Sequence, residues 1–285
     1  GSGYVWIGTE GQGAFYASSS YNFTKAESGL VHGKTVKDMA QVTETTGSTA
    51  VLYAATKSGV YKTSNGGKDW IPTTSFAGSN ISSLALHPLS NGYTDIIYAG
   101  TEDAGVWVST DSGNTWNQHI SGLNSLVIND VEVDSKNNYI YTATYSEAEN
   151  ATQNPNGHIY RHKLNKDGTF STDDWKTADN GIVSYTSKSS DKYPVHVLKY
   201  DKVQDRIYAG GQGINFYRAD DGLDKGRPDW QVSNRGLSNL IMARMPILFS
   251  GKCSMNINEN IRGDTVRYTV YIQDINGNPP IEGST

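Results

Sequence analysis

The sequence predicts an all-β protein: a five-bladed β-propeller, either complete or part of a larger ring. Three observations carry this. Strand-like runs rich in Tyr, Val, Ile and Thr alternate with polar, Gly-punctuated links. One strand–link–strand unit recurs five times along the chain. The aromatic residue of its first strand (Trp6, Tyr53, Tyr98, Tyr141, Tyr208) returns at intervals of 47, 45, 43 and 67 residues, and periods in the mid-40s match four-stranded blades.

The copies run in order. Val5-Trp6-Ile7-Gly8-Thr9 leads to Gly13-Ala14-Phe15-Tyr16, and Leu52-Tyr53-Ala54-Ala55-Thr56 leads to Gly59-Val60-Tyr61-Lys62. The third copy is the best preserved. There Ile96-Ile97-Tyr98-Ala99-Gly100-Thr101 leads to Gly105-Val106-Trp107-Val108-Ser109. The fourth runs from Ile140-Tyr141-Thr142-Ala143-Thr144 to Gly157-His158-Ile159-Tyr160-Arg161, and the fifth from Ile207-Tyr208-Ala209-Gly210-Gly211 to Gly213-Ile214-Asn215-Phe216-Tyr217.

A polar turn follows the second strand of each unit. In the third copy it is Ser109-x-Asp111-x-Gly113-x-Thr115-Trp116; in the second, Thr63-x-Asn65-x-Gly67-x-Asp69-Trp70. Ser, Thr, Asp and Asn side chains bond the amides of their own turn, Gly permits positive φ, and Trp anchors the outgoing chain. The fourth copy stretches the turn to Asp174-Trp175, the fifth inserts residues between Asp220-Asp221-Gly222 and Asp229-Trp230, and the first keeps a remnant at 17–23. Exit signals follow at Gly29-Leu30, Gly122-Leu123, Gly181-Ile182 and Gly236-Leu237, with Phe76-Ala77-Gly78 in the second copy. Each leads into an apolar run: 36–42, 81–87, 126–133, 195–200 and 240–245. These read as innermost strands. The first copy lacks one and the chain has a spare at 240–245, so pairing it with 6–9 would close the ring. The propeller is assigned to residues 3–246.

The turn spacing resembles the Asp-box, or BNR repeat, of sialidases, xyloglucan-degrading propellers, sortilin-type receptors and photosystem II assembly-factor propellers. The period ends after Pro246. Residues 252–256 and 265–274 read as strands, and 263–283 resembles the opening of a bacterial immunoglobulin-like surface domain. Residues 247–285 are therefore expected to be a partial immunoglobulin-like β segment. Such a sandwich takes roughly 100 residues, so it is either cut or completed from elsewhere. The plain alternative is a C-terminal hairpin packed on the propeller.

Composition narrows the function classes. Net charge is −5 and no Arg precedes residue 161, which argues against nucleic acid. No apolar run reaches membrane-spanning length. Cys253 is the only cysteine, so no intrachain disulfide forms. Gly1-Ser2 reads as an expression scar, and a natural leader is expected to have preceded it. Asn22-Phe-Thr, Asn80-Ile-Ser and Asn150-Ala-Thr are glycosylation-type triplets, at a frequency that chance explains.

The chemistry-bearing residues divide into four groups. Thr63, Asn65, Gly67, Trp70, Ser109, Asp111, Gly113 and Trp116 read as turn-formers, because the resemblance puts Asp-boxes on the face away from the usual active site. Sialidase activity would need an arginine triad drawn from several blades. Arg244-Met245-Pro246 echoes one sialidase signature, but it stands in the last strand and blades one to three hold no Arg. Xyloglucan-type hydrolysis needs two carboxylates across a groove, which the related enzymes place between two propellers. Asp130, Glu132 and Asp134 fall on one side of an inner strand, where a polar tunnel lining or inter-blade face is preferred over catalysis. Asp167, Asp220, Asp221 and Asp224 lie in calcium-like but incomplete loops. No cofactor is required; calcium is the one left open.

Length is the last irregularity. Blade four expands two links, one with Tyr145, Glu147, Glu149 and Asn150, the other with Tyr185, Lys188, Asp191 and Tyr193. In a four-stranded blade both links emerge on the face opposite the polar turns, and these eight residues are the ligand-binding candidates. The expected protein is secreted or cell-surface and bacterial or archaeal. It binds a glycan or cell-surface protein without catalysis. The alternatives are a divergent glycoside hydrolase, or a surface assembly subunit that self-associates through the C-terminal β segment.

Overall fold

The computed structural model describes residues 5–17, 22–26, 28–30, 34–42, 49–73, 80–90, 94–145, 158–182, 195–211, 216–220, 222–233, 247–249, 254–262 and 265–273. In chain order, β1 (Val5–Thr9), β2 (Gly13–Ala17) and β3 (Thr24–Lys25) pair antiparallel. Sheet two is β4 (Val36–Gln41), β5 (Leu52–Thr56), β6 (Gly59–Thr63) and β7 (Ile71–Pro72). Sheet three is β8 (Ile81–Leu86), β9 (Ile97–Thr101), β10 (Val106–Ser109) and β11 (Asn117–His119). Sheet four is β12 (Val127–Asp134), β13 (Tyr139–Tyr145), β14 (Ile159–Lys163) and β15 (Lys176–Thr177). Sheet five is β16 (Val197–Asp201), β17 (Arg206–Gly210), β18 (Tyr217–Ala219) and β19 (Trp230–Val232).

β20 (Ile247–Phe249) returns to pair with Val5–Ile7 of β1 and makes sheet one four-stranded. This is slightly later than the 240–245 stretch expected to close the ring, which lies outside the described residues. β21 (Ser254–Arg262) and β22 (Thr265–Gln273) form a separate two-stranded sheet. The first is longer than the 252–256 strand anticipated, and the two pair antiparallel from Ser254↔Gln273 to Arg262↔Thr265.

The sheets stack through their inner strands, β4 against β8, β8 against β12 and β12 against β16. Second strands β5 and β9 are buried throughout, because a sheet covers each face. Four of the five recurrent aromatics, Trp6, Tyr53, Tyr98 and Tyr141, are at most 1% exposed, while Tyr208 is half-buried and stacks on Phe216 of its own sheet. The outer strands run only two or three residues, which limits edge-to-edge pairing.

Two local devices repeat. A Thr at the end of the second strand donates to the carbonyl that opens the third: Thr9 to Gly13, Thr56 to Gly59, Thr101 to Gly105 and Thr144 to His158. A β-bulge at the start of β4, β8 and β12 shifts the register at Val36/Asp38, Ile81/Ser83 and Ile128/Asp130. Such a bulge re-aims one side chain toward the neighbouring sheet.

Candidate functional site

The two polar turns are built alike. Ser109 Oγ donates to Asp111 Oδ1 at 2.8 Å and accepts from Gly113 N at 2.8 Å, while Asp111 Oδ1 accepts from Thr115 N at 2.8 Å. Thr63, Asn65, Gly67 and Asp69 reproduce these three bonds at 2.9, 3.0 and 3.0 Å. Burial draws the Asp111 carboxyl upward, but bonds from Thr115 and Ser109 outweigh it and hold the group below its ordinary range. The turns join third to fourth strands. Their tryptophans staple neighbouring sheets, with Trp70 Nε1 donating to Ala26 O, Trp175 to His119 O and Trp230 to Ala178 O. Trp116 is half-buried and packs with Trp107 against one inter-sheet core, while Leu123 packs against the next.

The inner-strand carboxylates are consumed by a hydrogen-bond chain that crosses four sheets. Asp38 Oδ2 on β4 accepts from Leu84 N of β8 at 2.9 Å. Ser83 Oγ of β8 lies within hydrogen-bond reach of Asp38 Oδ2 and Asp130 Oδ1, and its one proton serves one at a time. Asp130 Oδ2 on β12 accepts from Leu198 N of β16 at 2.7 Å, and its Oδ1 also takes Val131 N at 3.0 Å. Two residues on, Glu132 Oε1 accepts from Tyr200 N at 2.9 Å and pairs with Lys199 at 3.0 Å. The Glu132 carboxylate holds the Lys199 ammonium above its ordinary pKa. Asp134 is fully buried and bonds Asn137 N and Nδ2, both at 2.9 Å; burial raises its pKa. An innermost strand has amides with no ladder partner; Asp38, Asp130 and Glu132 cap those of Leu84, Leu198 and Tyr200, while Asp134 caps the turn amide of Asn137. Asp130, Glu132 and Asp134 do share one side of β12. Every one already has its donors, which leaves no unengaged acid–base pair among the three.

Of the ligand-binding candidates, only Tyr145 falls within the described residues. It is half-buried at the end of β13, and its carbonyl accepts from Ser125 Oγ. Glu147, Glu149, Asn150, Tyr185, Lys188, Asp191 and Tyr193 lie outside the described residues. The roots of their two links are placed. Thr144 and His158 clasp the ends of the 146–157 link through two hydrogen bonds, His158 N to Thr144 Oγ1 at 3.0 Å and Thr144 Oγ1 to His158 O at 3.2 Å. His158 Nδ1 meets Asp179 Oδ2 at 2.5 Å, and Asp179 stands just before the 183–194 link. The pair joins the roots of both long links at one end of sheet four, opposite its polar turn. Sequence reasoning missed His158 and Asp179 as a pair, since nothing local connects residues 21 apart.

Solved structures of known proteins match the fold of this chain. An ancestral GH74 enzyme aligns with a TM-score of 0.57 at 15% identity, over 96% of this chain and 36% of that one. The GH74 xyloglucanase of Xanthomonas campestris gives 0.55 at 14%, over 99% and 44%. Sqt1 of Saccharomyces cerevisiae gives 0.52 at 13%, over 92% and 64%. The fold is a β-propeller. The chain spans less than two thirds of each of these proteins, and at such identities the likeness shows the fold alone. No protein-family model and no curated protein matches the sequence.

Elsewhere on the propeller, the loops with a calcium-like pattern carry other partners. Asp220 lies between two guanidinium groups, Arg206 Nε at 2.9 Å and Arg218 Nε at 3.4 Å, which occupy the carboxylate a cation would need. Asp167 Oδ1 accepts from Thr169 N and Oγ1, and these bonds lower its pKa. Asp224 is exposed in a one-turn helix at Leu223–Lys225, and Asp221 lies outside the described residues. Among the described residues no group of three or more His, Cys, Asp or Glu side chains is placed to hold a metal ion.

Proposed function

We propose that the protein is a recognition module that binds a glycan or a cell-surface protein at the face carrying the two long links of sheet four. The observation that carries this reading is the His158–Asp179 contact. It brings the roots of two separate insertions together on one face of a scaffold whose inner-strand carboxylates serve the fold. Rigid sheets with lengthened links on one face are a common way to present a binding surface. In this reading the chain is a five-bladed Asp-box propeller of the BNR type, complete or within a larger ring, and acts outside the cell or at its surface. The C-terminal β segment is the start of an immunoglobulin-like domain and a place for self-association. Neither calcium nor another cofactor is required.

The test is binding of the full chain to a glycan array, beside a variant with 146–157 and 183–194 cut to turns as short as Lys57-Ser58. Loss of binding with an unchanged melting temperature supports the proposal. Equal binding by both counts against it.

A second reading, glycoside hydrolysis, is favoured by the likeness in fold to an ancestral GH74 enzyme and a GH74 xyloglucanase. It predicts release of reducing ends from xyloglucan, and an inert protein at high enzyme concentration would remove it.

A further inference from the structure

The bulge at the start of β4 aims Lys37 at sheet three. Its Nζ donates to Asn80 Oδ1 at 2.7 Å and forms an ion pair with one oxygen of Glu102. The other Glu102 oxygen accepts from Asn80 Nδ2. One carboxylate therefore touches both the amine and the amide nitrogen, while the amine touches the amide carbonyl. The Lys37 side chain is 16% exposed, largely withdrawn from water. The residues at the matching bulges are Ser82 and Asn129, neither of which is an amine. Among the described residues of the inner strands, this constellation occurs once.

From this geometry we infer that Lys37 and Asn80 become joined by an isopeptide bond, with Glu102 as the catalytic residue. Glu102 takes a proton from the Lys37 ammonium through one oxygen. The freed Nζ lone pair attacks Asn80 Cγ, held beside it by the existing hydrogen bond. The protonated carboxyl returns that proton to Nδ2 through its other oxygen, the carboxylate takes the second proton of Nζ, the Cγ–Nδ2 bond breaks, and the leaving ammonia carries the second proton away as ammonium. The product is a secondary amide, and atoms and charge balance with no oxidant or outside reagent. The bond would tie sheet two to sheet three and close a loop across a sequence separation of 43. Constraining the unfolded chain is how such cross-links stabilise. The bond consumes the nitrogen of the Asn80-Ile-Ser triplet, so cross-linking and glycosylation at Asn80 exclude each other.

The experiment is mass spectrometry of the purified full chain. The intact protein should be lighter by one ammonia, about 17 Da. Asn-Gly pairs such as Asn65-Gly66 lose the same mass on cyclising, so the deciding observation is a branched tryptic peptide joining Lys37 to Asn80. Glu102→Gln keeps the shape but cannot accept the proton. It should show the full mass, no branched peptide and an unchanged circular dichroism spectrum. Lys37→Arg should do the same. Separate, unmodified Lys37 and Asn80 peptides in the wild-type digest would overturn the proposal. So would a branched peptide that forms in Glu102→Gln at the wild-type yield.

Discussion

Asp130 sits 7% exposed between Ser83 on one side and Leu198 on the other, and its two oxygens bond different sheets. Asp130→Asn keeps one acceptor and removes the charge from the other contact. It should cost about 1–3 kcal/mol of stability, read from urea denaturation with an unchanged slope. Asn65 shows the same logic in a turn. Its Nδ2 donates to Asp69 Oδ2 at 3.0 Å, whereas Asp111 in the sister turn takes the Thr115 hydroxyl at 2.7 Å. Amide with carboxylate in one turn and carboxylate with hydroxyl in the other are two solutions of one geometry. Asn65→Asp alone would set two carboxylates against each other, costing roughly 1 kcal/mol at neutral pH and less in acid. Adding Asp69→Thr should recover most of that loss. A double-mutant cycle measures the coupling, and simple additivity would refute this account of the pair.

Elements meet where a glycine lets one backbone approach the next. Gly122 has φ +93°, and a Cβ there would fall 2.4 Å from Trp175 O of the adjoining sheet. Gly29 and Gly181 stand in the same relation to Trp70 and Trp230. Gly11 has a comparable φ of +91° and open space around it. Gly11→Ala should therefore cost only the backbone strain, about 1 kcal/mol, and Gly122→Ala clearly more. Equal effects in thermal melts would mean that the close approach does not matter.

These exits were visible in the sequence as Gly-Leu and Gly-Ile pairs, and the polar turns were visible residue by residue. Their bonds run between residues two to four apart, so local spacing encodes them. The inner-strand chain was not visible, because Asp38–Leu84 and Asp130–Leu198 join residues 46 and 68 apart. A trace of it was there. Aligning Val36-Lys37-Asp38 with Ile128-Asn129-Asp130 puts an Asp at the same bulge position twice. Of the candidate site, the sequence marked where the links lengthen, while the His158–Asp179 contact at their roots needed the fold.

Across the whole molecule, acid should act through buried imidazoles. Burial lowers the pKa of His87 and of His119 from the ordinary value of 6.5, and His162 beside His119 adds to the shift there. As pH falls, the unfolded chain then binds protons before the folded one does. Stability from these groups is complete above about pH 7 and declines as pH drops through 6.5 toward the folded values. Melting temperatures between pH 8 and 5 should fall, and His87→Gln with His119→Gln should flatten the slope. A pH-independent melt of the wild type would contradict it.

The inner-strand carboxylates hold the propeller, and the proposed binding face is the one that carries the long links. Affinity for the strongest array ligand, compared between the link-shortened chain and Asp130→Asn, separates the two roles. Shortening the links should cost at least a tenfold loss, about 1.4 kcal/mol, and folded Asp130→Asn should keep near wild-type affinity. Retained affinity without the links, together with lost affinity in Asp130→Asn, would contradict this assignment and return the site to the inner strands.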